Sequence, residues 1–357
     1  MRMAFLMVGD SDLLTGGYLF NFRMVEALRG AGHAVDVHHY RTIPAALRNR
    51  PVALARHLAG SLSLSRLDLM LVSKSYKVML PLVISGGLPR GVPLLYLVHH
   101  LEWRDRGLER GPLHRRMAVR YLLGRADSIW VNSRSTGADL ASLGVDPGKL
   151  TAIPPGFSRP DRRLPDRRGR EGPVTIVSVG AISERKAQID LVRACAGLGE
   201  RSFQLVLAGA AEADSKYARR LRREVRELGM ESRVRVMGHL EREELYRQYE
   251  KADIMAQASH WEGYGIAVAE AMWMGLPVVA TTGGATPEVL GDCGAGLMYP
   301  PGDIEALSSS LAGLIDGGEK RLAMGRAARS RAEALPDWEE CSRRFVELAS
   351  AVSKGEE

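Results

Sequence analysis

Short apolar runs alternate with longer stretches in which apolar side chains return every three or four positions, and the alternation continues along nearly the whole chain. Runs of this kind read as strands buried on both faces and the longer stretches as crossover helices, so parallel sheets covered by helices are predicted. In the first half strands are predicted at 4–8, 34–38, 67–72, 93–98, 128–131 and 150–153. The pattern then breaks: residues 158–172, SRPDRRLPDRRGREG, are charged, punctuated by proline and nearly free of large apolar side chains. Such a stretch reads as an exposed connection between domains. Beyond it strands are predicted at 174–179, 204–208, 233–237, 254–256, 277–280 and 296–299.

Two open α/β domains in tandem follow from this pattern: 1–160, a linker at 161–172, and 173–335. The length of 357 residues accommodates them without staples. Near the C-terminus LPDWEECSRRFVELAS predicts a helix with Trp338, Cys341, Phe345 and Leu348 on related faces. The three cysteines, Cys195, Cys293 and Cys341, form no CxxC and no metal-ligand spacing, so neither a disulfide framework nor a zinc site is expected. The N-terminal MRMAFLMVGDSD has too short an apolar run for a signal peptide. Residues 78–89, interrupted by Pro81 and Gly86-Gly87, fall short of the roughly 20 residues a transmembrane helix needs. A cytoplasmic location is therefore expected.

Charge divides the chain. Residues 1–170 carry 26 Lys+Arg against 13 Asp+Glu, while the remainder carries 23 against 29, within a net charge of +7. A basic half suits an anionic partner or a solvated arginine-rich face. Arg41, Arg48, Arg50 and Arg56, with HRRMAVRYLLGR at 114–125, allow peripheral contact with an anionic membrane. Nucleic acid is the weaker partner, because the basic residues are not interleaved with aromatics in a recognisable binding motif.

In open α/β sheets ligands meet the carboxyl ends of the strands, and the chemically unusual residues fall there. Gly16 and Gly17 open a helix after the first strand, which lets backbone N–H groups approach a ligand; no GxGxxG is present. His99 ends the run LLYLV and can bond a hydroxyl through either ring nitrogen. Arg185 and Lys186 follow the first strand of the second half, where a guanidinium fork and an ammonium suit a diphosphate. Finally, SHWEGYGIAVAEAMWMGLPVVAT sets Glu262 in a loop and Glu270 about one turn into a helix, with Gly263 and Gly265 leaving backbone N–H groups uncovered between them. A carboxylate can accept from both hydroxyls of a vicinal diol, so one acid for a sugar and one for a ribose describe a sugar-nucleotide site.

The string E-G-Y-G-x4-E-A-M-x2-G-x-P-V-V-A-T resembles the signature of the retaining glycosyltransferases of family 4, which have the GT-B fold of two Rossmann-like domains. The likeness extends to Thr15-Gly16-Gly17, His99, Ala126-Asp127, Ser133, Pro155-Gly156, the SERK loop, AGA at 208–210, MGHL at 237–240 and TPEV at 286–289. It implies a hexosyltransferase that moves a sugar from a nucleotide diphosphate, UDP- or GDP-linked, to an acceptor hydroxyl, lipid-linked or glycan, with retention and without a metal or other cofactor. It assigns Glu270 to the ribose, and Glu262 with the backbone of Gly263, Tyr264, Gly265 and Ile266 to the donor sugar. Arg185 and Lys186 take the leaving diphosphate, Gly16 or Gly17 lends an amide, His99 reaches the sugar, and His239 and Leu240 lie near the base. The final helix, within 336–357, is expected to return to the N-terminal domain. Three positions depart from the pattern: Ala181 where many members have arginine, Ala187 where glycine is frequent, and Pro154-Pro155-Gly156-Phe157 in place of P-N-G. Other GT-B activities, a nucleotide-sugar epimerase or a sugar-phosphate synthase, remain alternatives.

Overall fold

The computed structural model describes residues 1–7, 16–39, 45–48, 53–54, 56–57, 60, 66–73, 91–99, 113–162, 164–211 and 215–356. The apolar run at 78–89, His100, Arg41 and Arg50 lie outside the described residues, and of Arg48, His114, Arg115 and Arg116 only the backbone is described. The chain forms two compact units, Met1–Gly156 with Trp338–Glu357, and Phe157–Asp337.

The first unit holds six parallel strands, β1 (Arg2–Met7), β2 (Ala34–His39), β3 (Leu69–Ser73), β4 (Leu94–Val98), β5 (Ser128–Val131) and β6 (Leu150–Ala152), ordered β2-β1-β3-β4-β5-β6. Successive side chains leave a strand on opposite faces, so the inner strands feed two cores. Ala4, Leu6, Met70, Val72, Tyr96 and Ile129 fill one; Met3, Phe5, Leu69, Leu71, Leu97 and Trp130 fill the other. The helix Gly16–Gly30 buries Phe20, Met24, Val25 and Leu28 on the second face. Phe22, which helical spacing places with the core, is instead 42% exposed. The reason is that Phe20 takes the buried place, stacking on Trp130 with ring centroids 4.1 Å apart. The helix Trp338–Lys354 joins the same core through Cys341, Phe345, Ala349 and Val352. No described helix is long and apolar enough to cross a membrane.

The second unit repeats the plan with β7 (Val174–Val179), β8 (Phe203–Ala208), β9 (Val234–Gly238), β10 (Ile254–Gln257), β11 (Val278–Thr281) and β12 (Gly296–Tyr299), all parallel, ordered β12-β11-β10-β7-β8-β9. Alternation is again visible: Ile176, Leu205 and Ile254 enter one core, Val177, Val206 and Met255 the other. Strand order reverses between β7 and β10, and the helices that follow these neighbours pack on opposite faces, the topology at which open α/β sheets receive ligands at the carboxyl edge.

The proline- and arginine-rich stretch is not a free connection but part of this unit. Arg167 donates from Nε to the Ala252 carbonyl at 2.8 Å, and from its terminal nitrogens to Tyr249 at 3.0 Å and Met274 at 3.1 Å. Arg170 reaches the Lys251 carbonyl at 2.8 Å, and Arg162 pairs with Glu250 at 2.8 Å and with Glu243. Guanidinium forks thus satisfy the orphan carbonyls at the end of the helix Arg242–Lys251, which explains the abundance of arginine where apolar residues are scarce.

Candidate active site

The loops leaving β7 and β10 bring together residues far apart in sequence. After β7 the chain makes a short turn, Glu184–Lys186, and starts the helix Gln188–Ala196 through Ala187, whose φ of 49° is left-handed. Frequent glycine in the resembled family fits this backbone, and alanine holds it here because the residue is buried and its neighbours are bonded on both sides. The turn points Lys186 and Arg185 toward β10. After β10, His260 N donates to the Arg185 carbonyl at 2.9 Å, and Arg185 donates to the Trp261 carbonyl at 2.8 Å, fastening the two loops together.

Glu262 sits at their junction and is 4% exposed. Its Oε1 accepts from Lys186 Nζ at 2.5 Å, Ser259 Oγ at 2.5 Å and Gln257 Nε2 at 2.8 Å, and its Oε2 lies 3.5 Å from Arg185. Burial pushes the carboxyl upward, yet the charges of Lys186 and Arg185, with the bonds from Lys186 and Ser259, prevail and hold it down at about 2. The backbone is fixed as well: Glu262 N donates to Gly283, and the Glu262 carbonyl accepts from Ala285 N at 2.9 Å. Gly284 must be glycine, because its φ is +74° and a Cβ would stand 2.1 Å from the Glu262 carbonyl oxygen.

From Glu262 the chain turns through Gly263 and Tyr264 to Gly265, whose φ of 109° caps the helix Ile266–Trp273 without a side chain. The first N–H groups of that helix are thus not covered by a cap residue, which suits a negatively charged or hydroxyl-bearing ligand. Tyr264 packs in the core with Val268, so its backbone is the part suited to a ligand. Glu270, 7% exposed, lies one turn further on. Burial is the largest influence on its carboxyl and raises it to about 7, against the opposing charge of Arg242 and a bond from Tyr246. Tyr246 OH stands 3.5 Å from Glu270 Oε1 and 3.1 Å from the Ser158 carbonyl. The two acids therefore differ in kind: one is a permanent anion, the other titrates near neutrality.

His239 and Leu240 follow β9 at the same carboxyl edge; His239 is 42% exposed in its side chain and lies 3.5 Å from Glu241. In the first unit, His99 leaves β4 beside Gly17, where a Cβ would come within 3.3 Å of the imidazole. Its Nε2 meets Asn21 Oδ1 at 2.8 Å, and Asn21 Nδ2 donates to Ser73 Oγ at 3.0 Å, an arrangement in which the imidazole donates from Nε2. Phe20 and Trp130 flank the ring edge-on, and Asn132 bonds the His99 carbonyl. Gly16 and Gly17 form the first turn of the helix Gly16–Gly30.

Sequence reasoning missed Asn21, Asn132, Gln257, Ser259 and Tyr246. Ser259 alone carried a local signal, three residues before Glu262; the others depend on which strands and helices the fold packs beside the site. Among the described residues no group of three or more His, Cys, Asp or Glu is arranged to hold a metal ion.

Two family models match the chain in tandem: "Glycosyl transferase 4-like domain" over residues 13–156 and "Glycosyl transferases group 1" over residues 162–331. The chain belongs to the glycosyltransferases of GT-B fold. The D-inositol 3-phosphate glycosyltransferase of Corynebacterium glutamicum (strain R) is 27% identical over 264 residues, covering 68% of this chain and 63% of that one. Less than two thirds of that relative is thus matched. Sucrose-phosphate synthase from Thermosynechococcus elongatus shares the fold with a TM-score of 0.86 at 21% identity, over 99% of both chains. HepE of Anabaena, solved with UDP and glucose, has a TM-score of 0.78 at 19% identity, over 98% of this chain and 100% of its own.

Proposed function

We propose that this protein is a retaining, metal-independent glycosyltransferase that takes a sugar from a nucleotide diphosphate donor and delivers it to an acceptor hydroxyl. The observation that carries the reading is the buried Glu262 carboxylate held between Lys186 and Arg185 at the strand reversal. Such a site offers two cations for a diphosphate and one anion for sugar hydroxyls within a few ångströms. As the anomeric C–O bond breaks, its electron pair passes to the departing diphosphate, where Lys186 and Arg185 meet the developing charge. The acceptor oxygen bonds the anomeric carbon on the face the diphosphate leaves, and its proton passes to that diphosphate. Positioning and charge stabilisation supply the catalysis, so no protein nucleophile is assigned. The resemblance assigns His99 to a sugar hydroxyl, and within its own unit the ring is oriented by Asn21.

UDP-, GDP- and ADP-sugars incubated with the purified chain, with and without EDTA, test the reading by release of nucleoside diphosphate and by the anomeric configuration of the product. Release with one donor, insensitive to EDTA and with configuration kept, is expected. Sugar interconversion without release would favour the epimerase alternative, and no response to any donor would count against a sugar-nucleotide site.

Glu270 receives the ribose hydroxyls in this reading, and only the carboxylate can accept from both. With the acid held up at about 7, donor affinity rises with pH until Glu270 is ionised and levels off above it. Below that point affinity falls about tenfold per pH unit. Folding stability runs the other way: the pKa lies above the ordinary 4.5, so the contribution of protonated Glu270 is full below 4.5 and lost as pH rises through 7. Nucleotide titrations across this range should show the rise in wild type and a flat profile in Glu270→Gln. A sloping profile in the variant would assign the titration to another group.

A further inference from the structure

Two buried polar side chains on the donor-site loop have no part in the reading above. Gln257, the last residue of β10, and Ser259, two residues on, are 3% and 0% exposed. We propose that they are positioning residues that keep Oε1 of Glu262 anchored while Lys186 turns to the leaving diphosphate, so that Oε2 is the oxygen presented to the donor sugar. The proposal rests on the nucleotide-sugar reading and deepens it.

The bonds to the carboxylate are unevenly shared. Oε1 accepts three, from Lys186, Ser259 and Gln257, whereas Oε2 meets Arg185 alone among the described residues, at 3.5 Å. A carboxylate oxygen holding three donors has no lone-pair direction left for substrate, while Oε2 keeps capacity for a hydroxyl. Lys186 is a cation, and an incoming diphosphate competes for it with the full force of its charge. Ser259 and Gln257 are neutral and feel that competition far less, so they hold Oε1 in place during the exchange.

The anchors are themselves fixed. Gln257 Nε2 also donates to Ser259 Oγ at 3.0 Å, leaving the serine hydroxyl proton for Oε1, and Thr281 Oγ1 at the end of β11 donates to the Ser259 carbonyl at 2.6 Å. Gln257 makes this arrangement at the expense of its own carbonyl oxygen, which is buried without a partner. An amide placed for packing alone would turn to satisfy that oxygen; here the carboxylate dictates its orientation.

Ser259→Ala and Gln257→Met, which change little volume, separate positioning from structure. UDP, GDP and ADP are titrated against each chain, and turnover is measured with the corresponding glucose nucleotides. Affinity for the diphosphate without sugar should stay within about twofold, while kcat falls about tenfold in each variant. Parallel loss of diphosphate affinity and turnover would mark a structural role and overturn the proposal, as would wild-type kcat in both variants. A wild-type chain that neither binds nor turns over any of these nucleotides would overturn the donor-site reading and the proposal with it. An active wild type with unaffected variants overturns the proposal alone.

Discussion

Replacing Lys186 by methionine is expected to lower donor turnover by at least about a hundredfold, roughly 3 kcal/mol in the barrier. Two losses combine. The leaving diphosphate forfeits the ammonium that meets its developing charge. Glu262 forfeits its largest favourable interaction, so burial, already the strongest single influence on it, raises its pKa. Residual activity of Lys186→Met should consequently increase with pH where the wild type is flat, and steady-state rates at saturating donor, measured across neutral pH on a variant with unchanged circular dichroism, would show it. Arginine is a poor substitute. A Cβ built on Gly180 would lie 3.0 Å from Lys186 Cε, so the side chain runs against bare backbone where a planar guanidinium has little room. A Lys186→Met variant with wild-type kcat would remove this residue from the reaction.

Glu262→Ala is expected to reduce activity to a similar degree and, in addition, to destabilise the unit by about 3 kcal/mol, because two cations are left around a buried space with no anion. An independent route leads to the same magnitude. The carboxyl is held at about 2 against an ordinary 4.5, a depressed value, so its contribution is present above 4.5 and disappears as pH falls through 2. A shift of that size corresponds to roughly 3 kcal/mol. Melting curves should therefore show wild type and Glu262→Ala converging as pH falls from 4.5 to 2, and separated by a constant difference above that window. Glu262→Gln keeps the volume and one acceptor oxygen and should be intermediate in stability while remaining impaired in turnover. Equal melting of wild type and Glu262→Ala at neutral pH would show that the ion pairs contribute nothing to the fold.

Much of the architecture was legible along the chain. Every strand described in the structure was predicted, with ends displaced by at most two residues; the inner strands, buried on both faces, impose an apolar run locally, while the edge strands β2 and β9 keep polar residues such as Asp36 and Arg235. Glu262 and Glu270 stood out for a similar reason: the glycines between them and the helix that follows are neighbours in sequence as well as in space. Phe20 and Phe22 were not separable along the chain, since helical spacing fixes which positions share a face but not which of two nearby aromatics meets a partner such as Trp130. Arg167 and Arg170 misled, since their charge reads as solvent exposure until the carbonyls of a helix some 80 residues later are in view.

The deepest division between sequence and structure lies in the two acids themselves. The chain specifies two glutamates and their spacing, and the uncapped helix between them follows from Gly265. It does not specify that one is ionised down to about 2 and the other titrates at about 7. That difference arises because Lys186, 76 residues earlier, is delivered to Glu262 by the pairing of β7 with β10, while Glu270 is buried beside Tyr246, where the charge of Arg242 does not offset the burial. Strand periodicity is a short-range property that a sequence displays directly. The charge state of a buried group depends on what three-dimensional packing sets within a few ångströms of it, and only the tertiary structure decides that.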